Sequence, residues 1–95
     1  MIISITSSHP INAQAKQVER FLETFLPKMR QFRGVKAIYH NARPGKGDDS
    51  TLVIWESQEA MAQYRQSELF REALAFEQKN NLPGTREAYP LTYSL

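Results

Sequence analysis

Four consecutive residues, Leu52-Val53-Ile54-Trp55, limit the folds open to this chain. An apolar run of this kind reads as a strand covered on both faces, because a sheet with one wet side alternates apolar and polar residues along each strand. Ser57 then stands where a helix N-cap belongs, with Glu59 in the first turn and Ala60-Met61 opening an apolar face. The strand therefore runs into a capped helix. Trp55, the only tryptophan, falls at that junction, where an indole serves equally as the wall of a small-molecule cavity or as core filling.

The rest of the chain supplies three more strands and two helical regions. Residues 1–7 form a strand that Ser8-His9-Pro10-Ile11 ends, and Asn12 offers a cap for the first helix. Ala15, Val18, Phe21, Leu22, Phe25, Leu26 and Met29 draw one stripe at spacings of three and four, with a kink or restart expected at Pro27 and an end at Gly34. A second strand runs from about Val35 to Arg43, with Val35, Ala37, Tyr39 and Asn41 on one face and Lys36, Ile38 and His40 on the other. A turn at 44–49 joins it to the Trp55 strand as an antiparallel hairpin. Helical spacing then turns Ala60, Met61 and Tyr64 inward, and after a second cap at Ser67 it does the same for Leu69, Phe70, Ala73, Leu74 and Phe76. Residues 87–95 alternate in the period of a strand, and Pro90 assigns it to an edge or a bulge.

The order β-α-β-β-α-β predicts one α+β, ferredoxin-like domain over 1–95: a four-stranded antiparallel sheet with its helices on one face. The uncovered face would then expose an apolar patch, and pairing with a second copy would bury it, so a homodimer is expected, with Tyr89 and Tyr93 in the contact.

Composition narrows the function classes. The 12 Lys and Arg residues lie scattered among 10 Asp and Glu, giving +2, which argues against a nucleic-acid or anionic-membrane partner. Without cysteine there is no disulfide, thiolate metal site or cysteine nucleophile, as suits a reducing cytoplasm. Met1-Ile2-Ile3-Ser4-Ile5 is too short for a signal core or a membrane span. His9 and His40, isolated and without paired carboxylate spacing, predict no metal site, and Pro44-Gly45-Lys46-Gly47 lacks the strand-to-helix context of a phosphate loop. The element order also fits an RNA-recognition module, but Thr51 to Trp55 lacks the exposed stacking aromatics such a module needs.

Ile54-Trp55-Glu56-Ser57, then Glu59-Ala60 and Ser67-Glu68-Leu69-Phe70-Arg71-Glu72-Ala73-Leu74, resembles the antibiotic biosynthesis monooxygenase family of dimeric α+β barrels. Tyr39-His40 is similar to a Tyr-His pair of its quinone-forming members. The resemblance implies oxygen insertion without metal, flavin or haem, in which a bound hydroxyaromatic compound loses a proton and its anion reduces dioxygen directly. The protein then supplies a dry pocket, orientation, a proton route and donors for developing charge. Carried over, Trp55 matches the cavity tryptophan, His40 the strand histidine and Arg71 the arginine before Glu-Ala-Leu, although helical spacing sets Arg71 off the apolar stripe. Thr51 and Met61 stand where those members have asparagine and tyrosine, and Tyr64 is available to replace the phenol. Haem-degrading relatives ligate iron through a histidine where this chain has Leu74, which disfavours haem.

Two functions follow as expectations. One is a cofactor-independent monooxygenase of a small aromatic or quinol-like compound. In it His40 is base or relay, Trp55 wall and orienting donor, and Tyr64 auxiliary donor, with Tyr39, Thr51, Met61 and Arg71 binding the substrate. The other is a non-catalytic dimer that holds a small apolar ligand.

Overall fold

The computed structural model describes residues 1–43 and 47–93. Its strands are β1 (Ile2–Ser8), β2 (Val35–Arg43), β3 (Asp48–Trp55) and β4 (Thr85–Pro90), and its helices α1 (Ala15–Arg30), α2 (Gln58–Arg65) and α3 (Glu68–Lys79). The strands form one antiparallel sheet in the order β2-β3-β1-β4. This is the expected α+β, ferredoxin-like arrangement, with β2 and β4 at the edges.

Local chemistry explains most boundaries. Ser57 Oγ accepts the Ala60 N–H at 3.1 Å and Ser67 Oγ accepts that of Phe70 at 3.2 Å, so each caps its helix as its position predicts. Gly34 takes φ +90° between α1 and β2, and its carbonyl accepts the Glu56 N–H at 2.7 Å, tying this turn to the end of β3. Four expectations need correction. Asn12 does not cap α1: Asn12–Gln14 is a 3-10 turn, and Gln14 instead reaches across to donate to the Asn80 carbonyl at 2.7 Å. α1 runs through Pro27 without restarting; Pro27 is exposed near the last turn beside an exposed Glu23, so water can serve the carbonyl that loses its amide partner. Leu74 is 41% exposed, since α3 buries the line through Ala73 and half-buries Leu69, Phe70 and Phe76. The last strand spans Thr85–Pro90 and not 87–95, leaving Tyr93 beyond the sheet and 81% exposed; the first three residues of the expected turn, 44–46, and the last two, 94–95, lie outside the described residues.

Register decides what each face carries. On the helix side, Val35-Trp55-Ile2-Pro90, Ile38-Val53-Ser4-Ala88 and His40-Thr51-Thr6-Arg86 are rows of paired residues. On the opposite side the rows are Ala37-Ile54-Ile3-Tyr89 and Tyr39-Leu52-Ile5-Glu87. A bulge between Val35 and Ala37 shifts the pairing by one, so Val35 joins Ile38 and His40 under the helices instead of sharing a face with Ala37 and Tyr39. The core gathers at the Trp55 end: Phe25, Met29, Val35, Val53, Trp55, Ala60, Met61, Tyr64 and Ala73 are buried in one cluster.

Candidate functional site

Beneath the helices the sheet is unusual in being partly hydroxylic. β1 alternates Ile3 and Ile5 outward with Ser4, Thr6 and Ser8 inward, the reverse of what a simple core asks of a buried face. These hydroxyls, with Thr51 and Asp49 of β3, form one wall of a partly open cavity of about 90 Å³ beneath the helices. Aromatic and aliphatic side chains form the facing wall. Phe21 stacks on Phe25 at 4.9 Å and on Phe76 at 4.1 Å between ring centroids, bridging α1 and α3 over the space.

Trp55 closes one end. It is 0% exposed, and its Nε1–H donates to Ser4 Oγ at 2.9 Å, so the indole donor is already engaged inside the fold. Tyr64 packs on it at 5.2 Å, with Phe32 and Phe70 edge-on at 5.6 and 5.3 Å. Among the described residues no sealed side-chain nitrogen or oxygen lacks a partner, and the Tyr64 hydroxyl makes no hydrogen bond to the protein. Tyr64 lines the cavity. Burial pushes the Tyr64 hydroxyl up to about 12, outweighing the nearby Arg86 guanidinium, and so keeps it a neutral donor.

A half-buried ion pair closes the β4 side. Arg86 Nη1 donates to Glu77 Oε1 at 3.1 Å while Nη2 donates to Oε2, the Gly84 N–H adds a bond to Oε1 at 3.1 Å, and the guanidinium lies 5.1 Å from the centre of the Phe70 ring. The fork links β4 to α3 across the cavity rim.

A second, open recess of about 650 Å³ lies between α1 and the β2–β3 hairpin and shares Val18, Leu22, Leu26 and Asp49 with the inner cavity. His40 lines this outer recess only. Its Nε2 is 3.0 Å from Asp49 Oδ1, and the two side chains are 24% and 12% exposed.

The site residues anticipated from sequence thus separate. Trp55, Tyr64, Thr51 and Met61 meet around the inner cavity. His40 shares their face of the sheet but stands one compartment outward. Tyr39 points from the opposite face and is 63% exposed, because it pairs with Leu52 and not with the inward row. Arg71 also lies apart from the cavity: its side chain is 63% exposed and bonds Glu68 one turn back, as its place off the helical stripe implies. Ser4, Thr6, Asp49, Glu77 and Arg86 line the cavity without having been singled out. Strict alternation from Trp55 back to Asp49, and through Ser4 and Thr6, carries the signal for three of them. The Glu77–Arg86 contact joins elements whose packing no local pattern specifies. Among the described residues, no three His, Cys, Asp or Glu side chains group as metal ligands, and no helix is long and apolar enough to cross a membrane.

No family model and no curated protein matches the chain. Solved structures do share its fold. A candidate antibiotic biosynthesis monooxygenase from Deinococcus radiodurans superposes with a TM-score of 0.90 at 16% identity, over 100% of this chain and 96% of that one. Another from Nitrosomonas europaea gives 0.81 at 9% identity, over 98% and 100%, and a third from Caulobacter crescentus gives 0.78 at 14%, over 97% and 91%. At these identities the likeness establishes a shared α+β fold.

Proposed function

We propose that this protein is a cofactor-independent monooxygenase acting on a single-ring hydroxyaromatic compound, in the manner of the antibiotic biosynthesis monooxygenases whose fold it shares. One observation carries the reading: a hollow with a hydroxyl-lined floor and an aromatic roof, where a purely structural interior would be filled with aliphatic side chains. Its volume favours a small ligand. An engineered cavity of about 150 Å³ admits benzene, so a space of about 90 Å³ must widen to hold even one substituted ring, which disfavours fused polycycles.

In this reading the phenylalanines of α1 and α3 hold the ring while Thr6 and Thr51 face its oxygens. Tyr64, protonated throughout the neutral range, donates to the negative charge that develops as the substrate anion reduces dioxygen. Trp55 orients and encloses, its own donor being committed to Ser4. His40, on the recess side, belongs to the proton route. The substrate supplies every electron: hydroquinone plus dioxygen gives hydroxybenzoquinone plus water, with neither metal nor flavin called upon.

The same reading includes a homodimer. Ile3, Ile5, Leu52 and Ile54 occupy the centre of a sheet face that carries no helix, flanked by Tyr39 and Tyr89 at 63% and 48% exposure, and a second copy is the simplest cover for such a patch. Oxygen uptake by metal-stripped protein with a panel of one-ring and fused-ring hydroquinones tests the activity, and sedimentation tests the dimer. Uptake is expected with one-ring compounds and to fall in His40→Ala. Equal uptake by the two proteins would remove His40 from the reaction.

The alternative is a non-catalytic small-molecule carrier. Thr51 and Met61, at positions where the quinone-forming members have asparagine and tyrosine, favour it, since a pocket with fewer polar groups binds more readily than it catalyses. Native mass spectrometry showing a retained ligand without oxygen uptake would decide for it.

A further inference from the structure

We infer that Asp49, and not His40, is the group that takes the substrate proton, with His40 acting through it as a positioning residue; this rests on the one-ring hydroxyaromatic reading above. Three observations lead there. Asp49 lines both the inner cavity and the outer recess, whereas His40 lines only the recess. The two are joined by the 3.0 Å contact from His40 Nε2 to Asp49 Oδ1. The Asp49 side chain is 12% exposed, at the boundary that the two spaces share. A base must be within hydrogen-bond reach of the proton it removes, and of the two only Asp49 borders the compartment where a ring would sit.

The step balances simply. The phenol O–H bond breaks, its proton passes to the Asp49 oxygen that His40 does not engage, and the substrate remains as phenolate. The carboxylate and imidazole then hold one extra proton as a coupled pair, and no electron moves. His40 fixes the carboxylate's orientation and places the pair's outer side in the recess, where water carries the proton away. The charged side chains around that outer side are mixed in sign: Lys16, Glu19 and Glu23 from α1, with Arg43 and Asp48 from the hairpin. Arg43 is already engaged by Asp48, so His40 is the partner Asp49 is given.

The test uses 4-fluorophenol, a one-ring phenol, with two nuclear magnetic resonance readouts at one fixed pH. Fluorine signals report binding, and the His40 ring protons report whether the inner cavity is coupled to the recess. In the wild type, binding is expected to displace the His40 ring signals while those of His9, 75% exposed and lining neither space, stay in place. In Asp49→Asn the phenol is expected still to bind, within about threefold, with the His40 signals unmoved. If the phenol binds and His40 does not respond in the wild type, or responds equally in Asp49→Asn, the inference is overturned. Failure of the phenol to bind overturns it too. Asp49→Ser replaces Asp49→Asn if the latter's amide spectrum shows it unfolded.

With an oxidisable hydroquinone, Asp49→Asn is expected to lower kcat by about a hundredfold or more with KM little changed, and His40→Gln to lower it by less. A larger loss in His40→Gln than in Asp49→Asn would reverse the two roles. Absence of oxygen uptake alongside an intact His40 response would end the oxygenase reading and leave the Asp49 contact standing.

Discussion

Removing the Ser4 hydroxyl tests whether the cavity's polar floor also holds its tryptophan. In Ser4→Ala the Trp55 Nε1–H loses an acceptor at 2.9 Å while the indole remains wholly enclosed. A buried donor left without a partner costs about 1–3 kcal/mol. The adjoining space of about 90 Å³ is large enough for a water, which can replace the hydroxyl and hold the loss to the lower end, about 1–1.5 kcal/mol. With a urea slope of roughly 1 kcal/mol per molar for so small a chain, the midpoint should fall by about 1 M, measured by circular dichroism at fixed protein concentration so that association stays constant. Trp55→Phe removes the donor itself. The double variant should therefore cost less than the two single losses added together, by a coupling of about 1 kcal/mol. Additive losses, or a Ser4→Ala midpoint within 0.3 M of wild type (about 0.3 kcal/mol at that slope), would refute the idea that this hydroxyl anchors the indole.

Gly34→Ala should be severe, because the position has φ +90° and an added Cβ would sit 2.4 Å from Ala60 Cβ. Strain plus overlap predicts a loss of about 3–5 kcal/mol in urea unfolding, and a loss under about 1 kcal/mol would show that the turn moves freely. Tyr64 predicts an alkaline weakening. Its hydroxyl sits at about 12 in the fold against about 10 unfolded, so its contribution is complete below pH 10 and drains away between 10 and 12, by about 2 kcal/mol. Tyr64→Phe should flatten that part of the stability profile, and an unchanged slope would count against burial as the cause. Arg86→Gln strands Glu77, whose side chain is 17% exposed, and should cost about 2 kcal/mol; the Glu77→Gln/Arg86→Gln pair should recover part of it, and no recovery in the double variant would deny the pairing its role.

Much of this architecture is legible from residue types alone. The stripe from Ala15 to Met29, the caps at Ser57 and Ser67 and the hairpin pairing of β2 with β3 are local signals, and local chemistry suffices to read them. The site was harder for three physical reasons. Alternation sets which residues of one strand share a face, but a loop of this length leaves the register between β2 and β3 open, and it is the register that puts His40 and not Tyr39 on the Trp55 side. A bulge has no dedicated residue type, which is why Val35 was expected beside Tyr39. Depth along a shared face depends on how far α1 overhangs the hairpin, and this puts His40 in a separate compartment from Trp55. Arg71 shows the converse: its departure from the apolar stripe, visible in sequence, describes its place better than the motif around it.

The outward Ile3, Ile5, Leu52 and Ile54 and the inward Ser4, Thr6 and Thr51 alternate along the same two strands, and this has an evolutionary reading. On the proposed reading, assembly and chemistry would stand on opposite sides of one ribbon, so a change of letter at 4, 6 or 51 would retune what the hollow accepts without touching the surface proposed to recruit a second copy. Such an oxygenase dimer would be free to change substrate while keeping its partner.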